Sequence, residues 1–76
     1  MNQVPEKMTK MVFKVKRKHI NYIRNTLESY DGMALVRTID PAKGLIELYV
    51  SPGCEKFVYE LIEDMKNREG IEFNRI

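Results

Sequence analysis

The chain has 76 residues, of which 43% are hydrophobic and 32% charged, and a formal net charge of +2. A domain of this size buries only roughly 60% of the surface its unfolded chain exposes, so nearly every large apolar residue must serve the core and little remains for an elaborate active site. The single Cys54 excludes an internal disulfide, the single His19 leaves no recognisable zinc ligand set, and no apolar run approaches the ~18 residues of a membrane span, which together fit a cytoplasmic protein without cofactor or membrane anchor.

Residues 1–9, around Val4-Pro5, read as a flexible tail ahead of one domain over residues 10–76. From Met11 to Lys16 the pattern alternates, Met11, Phe13 and Val15 on one side and Val12, Lys14 and Lys16 on the other, which predicts a half-buried strand. The period then switches to helical, with Ile20, Ile23, Leu27 and Tyr30 on one stripe and Asp31-Gly32 as a left-handed stop. Met33 to Ile39 and Leu45 to Val50 predict two further strands joined by DPAKG, in which Pro41 presets the turn, Asp40 accepts from the loop backbone and Gly44 takes a positive φ. With Asp40 opposite Leu45, a regular ladder sets Ile39 against Ile46, Arg37 against Leu48 and Leu35 against Val50. Leu35, Ile39, Ile46, Leu48 and Val50 would then share the inner face, with Arg37 an exception that reaches water from an edge.

Ser51-Pro52 predicts the start of a second helix, whose stripe is Cys54, Val58, Leu61, Ile62 and Met65 and whose stop is Gly70. Ile71 to Ile76 completes the chain as a strand, Ile71 and Phe73 facing inward. The order βαββαβ, with right-handed crossovers around a central hairpin, predicts an α+β ferredoxin-like sandwich, a four-stranded antiparallel sheet with two helices on one face.

The segment YDGMALVRTIDPAKGLIELYVSP, with Tyr30-Asp31-Gly32, Thr38, Asp40-Pro41 and Gly44 in place, resembles a family of short uncharacterised bacterial proteins whose ferredoxin-like domain is similar to ACT regulatory domains. The resemblance runs from about Lys10 to Ile76 and implies a fold; it transfers no catalytic residue.

Four features bear on function. KGLIELYV, Lys43 to Val50, begins like the octamer of RNA-recognition domains, but its two base-stacking positions are Leu45 and Glu47, so the sheet lacks the aromatic platforms that a third alternative, RNA binding, requires of this nucleic-acid fold. Lys10, Lys14, Lys16, Arg17 and Lys18 have no intervening acid, and Arg17, Lys18 and His19 at the first strand-helix junction are candidates to hold a small anionic metabolite, an amino acid or a nucleotide. Cys54 opens a helix but lies on its apolar stripe, which favours a packing role over a reactive one. Finally, the helix-free sheet face is expected to gather Val12, Val36, Leu45 and Tyr49 into an apolar patch rimmed by charge, the kind of patch that marks an interface. No pair of carboxylates or base-oriented nucleophile is specified, so the expectation is a non-catalytic regulatory or interaction module. It is expected to form a homodimer, face to face or through the edge strand Met33 to Ile39.

Overall fold

The computed structural model describes residues 8–76. Most of the tail expected over residues 1–9 lies outside that range, and Thr9 already pairs with Val50 in the first strand. The elements run β1 (Thr9–Lys14), a 3₁₀ turn (Arg17–His19) leading into α1 (Ile20–Glu28), β2 (Ala34–Asp40), β3 (Leu45–Val50), α2 (Glu55–Glu69) and β4 (Asn74–Arg75). The sheet order is β2-β3-β1-β4 and every neighbouring pair is antiparallel. This is the ferredoxin-like sandwich that the element order predicts.

One layer of core side chains comes from the sheet and the other from the helices. Met11, Phe13 and Val15 of the β1 segment and Ile46, Leu48 and Val50 of β3 meet Ile20, Ile23 and Leu27 of α1 and Val58, Ile62 and Met65 of α2, all buried. Period two on the strands and spacings of three and four on the helices place those residues on facing surfaces, which is why the sequence pattern finds them. Phe13 and Phe73 close one end edge to face, ring centroids 5.5 Å apart.

The DPAKG loop folds as its chemistry dictates. The Asp40 carboxylate accepts from the Ala42 and Lys43 N–H groups at 3.1 and 3.3 Å, the Gly44 N–H donates to the Pro41 carbonyl at 3.2 Å, and Gly44 sits at φ +71°. Gly44 does more than turn: its carbonyl accepts from the Val15 N–H at 2.8 Å, which fastens the hairpin loop to the exit of β1.

The expected face of β2 is reversed. Asp40 does oppose Leu45, but a bulge between Thr38 and Asp40 leaves Ile39 as the extra residue, so Thr38 opposes Ile46, Val36 opposes Leu48 and Ala34 opposes Val50. A slip of one residue exchanges the two faces of a strand. Ala34 and Val36 are therefore buried beneath the helices, while Leu35, Arg37 and Ile39 face the open side. Val36, expected on the helix-free face, is a core residue, 7% exposed.

Two boundaries also differ. Ser51, Pro52 and Gly53 form a turn rather than the first turn of α2, because Gly53 takes φ +88°; Ser51 instead donates its hydroxyl to the Gly32 carbonyl. Glu55 in the first turn of α2 accepts from the Thr9 hydroxyl and the Gly53 N–H, both at 3.0 Å; its own backbone N–H first, then Thr9 and, more weakly, Gly53 hold its carboxyl below the usual range against the opposing effect of burial. At the other end Gly70 is left-handed as expected, and the Gly70 and Ile71 N–H groups both turn back on the Met65 carbonyl. Ile71 and Phe73 point inward as expected, but only Asn74–Arg75 pair as strand, against Phe13 and Lys14.

Candidate functional site

The sheet surface opposite the helices is the first candidate. Its β2 row is Leu35, Arg37 and Ile39, its β3 row Tyr49, Glu47 and Leu45, and its β1 row Lys10, Val12 and Lys14, set side by side by the observed register. Leu35 is 54% and Ile39 45% exposed; Val12, Leu45 and Tyr49 are half-buried. Ile76, two residues beyond the Asn74 partner of Lys14, is 72% exposed and its N–H donates to the Val12 carbonyl. Of the four expected patch residues, Val12, Leu45 and Tyr49 are brought together here and Val36 is not; Leu35 and Ile39 take its place.

A charged cluster sits in the middle of that face. Glu47, 6% exposed, accepts from the Lys10 ammonium at 3.0 Å, the Tyr49 hydroxyl at 2.9 Å and the Arg37 guanidinium at 3.4 Å. Arg37 is directly opposite Glu47 across the ladder and Lys10 lies on the diagonal, the two cross-strand positions from which a long side chain reaches a neighbour. The Lys10 hydrogen bond first, and then that of Tyr49, lower the Glu47 carboxyl below the ordinary glutamate value against the opposing effect of burial, and the same contact raises Lys10. The cluster pairs the acid at the centre of the face, and it explains why Arg37 looked out of place among inward residues. The two octamer positions, Leu45 and Glu47, do lie on this open side, where Tyr49 is the one aromatic among the described residues and its hydroxyl is engaged.

A second candidate lies on the helix side. A cleft of about 410 Å³ opens between the first turns of α1 and the β2–β3 loop, lined by Arg17, Ile20, Asn21, Arg24, Thr38 and Pro41. Arg17 is brought into it; Lys18 and His19, expected with it, are not. The spacing of Arg17, Asn21 and Arg24, at i, i+4 and i+7, is the signal for a shared helical face that the run of basic residues obscures. Arg24 donates to the Thr38 hydroxyl at 2.7 Å.

Cys54 is half-buried against the core at the residue before α2, in keeping with a packing role. Among the described residues no helix is long and apolar enough to cross a membrane.

A family model described as Domain of unknown function (DUF4911) matches residues 13–68, from β1 to the last turn of α2. Among curated proteins nothing matches, and among solved structures nothing matches. The chain belongs to the DUF4911 family.

Proposed function

We propose that this DUF4911 domain is a small, non-catalytic interaction module whose occupant on the open sheet face is a second copy of the same chain. The observation that carries the reading is the exposure of Leu35, Ile39 and Ile76 around a cluster whose acid is already neutralised. An apolar rim about an internally paired centre lets two such faces meet without burying an unpaired carboxylate. A twofold axis closes the pair and stops growth at two.

The alternative, continuing the sheet across β2, is opposed by a specific contact. β2 is an edge strand, but the Val36 N–H donates to the Glu28 carboxylate at 2.8 Å, and Arg24, one turn earlier in α1, leans on Thr38. An edge donor already occupied offers less to a partner strand, and covering of this kind is how edges are protected. The face therefore remains as the surface to cover.

Each large aliphatic taken from water to full burial contributes ~1.5–3 kcal/mol. Leu35 and Ile39 start half-buried and association itself costs at least ~4 kcal/mol, so several side chains must act together and a weak dimer is expected. Sedimentation equilibrium tests it. Wild type is expected to pass from monomer to dimer across the micromolar range, and Leu35→Lys or Ile39→Lys to stay monomeric. A wild type monomeric at high micromolar concentration, or lysine variants that dimerise unchanged, would overturn the reading.

A further inference from the structure

We propose that the cleft between α1 and the β2–β3 loop is a binding site for a small molecule carrying a phosphate group. Two guanidiniums, Arg17 and Arg24, line it with the amide of Asn21 and the hydroxyl of Thr38, and among the described residues no acidic one does. Among the described residues neither arginine takes part in an ion pair. The acids nearest in the chain are engaged elsewhere: Asp40 accepts from the N–H groups of its own loop, and Glu28 from that of Val36.

Bringing two like charges to one concavity without a counter-charge is unfavourable, and a bound oxyanion relieves it. Guanidinium presents its donors as a rigid fork that matches oxyanions two bonds at a time. The hydrogen bond to Thr38 uses one donor of Arg24 and orients the rest. A phosphate, tetrahedral and doubly charged, offers oxygens to both arginines and to the neutral donors of Asn21 and Thr38 at once, which a planar carboxylate does not. Ile20 and Pro41 supply an apolar wall for the remainder of the molecule, and a volume of about 410 Å³ falls in the range of small-molecule sites.

The site is also held open by structure outside it. The bond from Val15 to Gly44 and the turn closed between Gly44 and Pro41 fix the loop wall relative to the entry of α1. Preformed geometry lowers the ordering cost of binding. The cleft is on the opposite side of the sheet from the open face, so it stands or falls independently of self-association.

Inorganic phosphate, titrated at low ionic strength into uniformly labelled protein and followed by amide chemical shifts, tests the proposal. Expected is one saturable event in the millimolar range or below, with the largest shifts at Asn21, Arg24 and Thr38. Arg24→Gln and Arg17→Gln should each weaken it by ~10-fold, the loss of a charge-assisted contact. Lys18→Gln removes the same charge outside the cleft and should change it less than ~2-fold, as a screened surface charge would. Absence of saturation, equal weakening by Lys18→Gln, shifts spread over all the basic residues, or succinate bound as tightly as phosphate would each overturn the assignment. The shift map of the wild type decides the location even where a variant folds poorly.

Discussion

At Gly44 two requirements meet. The φ of +71° is one an L-residue adopts at a cost, and a Cβ built there would fall within the carbonyl oxygen of Val15. Gly32 has nearly the same φ, +73°, but open space around its missing side chain. The comparison separates conformation from collision. Gly32→Ala is expected to cost ~1 kcal/mol of unfolding free energy by urea titration, and Gly44→Ala at least ~3 kcal/mol, because the clash is with backbone and cannot be relieved by a rotamer change. Equal losses would show that the Val15 contact is unimportant. Glu47 gives a different kind of residue-scale test. Its carboxyl lies below the ordinary value in the folded state, so in the acidic range the unfolded chain binds the proton more readily. Stability from this group is present above the ordinary glutamate value and is lost as pH falls from there through the lowered one. The raised Lys10 works at the other end: its contribution is present below the ordinary lysine value and lost as pH rises through the raised one. Glu47→Gln is therefore expected to lower the melting temperature at neutral pH and to flatten its fall on acidification, and an unchanged acid slope would assign that slope to other carboxylates.

Among the elements, β2 shows best what patterning can and cannot reveal. The helices, β1 and β3 were legible because each offers one consistent set of apolar residues, as in Ile20, Ile23 and Leu27 or Ile46, Leu48 and Val50. In β2 both sets are partly apolar: Leu35 and Ile39 with Arg37, or Ala34 and Val36 with Thr38. The larger side chains favoured the first set, but Arg37 among them was the contradictory sign, and only the second set leaves it opposite Glu47. A bulge near the end of a strand carries no sequence signature of its own here, so the register could not be read from Asp40 and Leu45 alone. Of the sites, the open face was legible through β1 and β3, whose parity is unambiguous, while the cleft depends on Arg24 and Thr38, 14 residues apart and joined only by packing. The same α1 side protects the β2 edge through Glu28. Glu28→Ala is expected to cost ~1 kcal/mol and to raise the protein's tendency to aggregate, since a freed Val36 N–H restores an edge donor; light scattering on heating would reveal it, and scattering equal to wild type would mean the edge is protected otherwise.

For the molecule as a whole, a sandwich with helices on one side only must leave one face of the sheet uncovered, and the self-association proposed for that face would link stability to concentration. A species that dimerises when folded is stabilised by mass action. The melting temperature of wild type is expected to rise with protein concentration while that of Leu35→Lys does not, and parallel flat lines for both would count against self-association. Which side of β2 is inside, however, depends on one inserted residue. Ile39 acts as a phase correction, resetting the alternation of the strand relative to the loop that precedes β3. A chain lacking it would bring Thr38 next to Asp40 in an unbroken ladder and keep Ala34 and Val36 beneath the helices. Deleting Ile39 should therefore preserve the fold, with a cooperative thermal transition as in wild type, and a chain that no longer melts cooperatively would show that the bulge itself is required. The strand carries one residue more than its pairing needs, and losing the surplus leaves its frame unchanged.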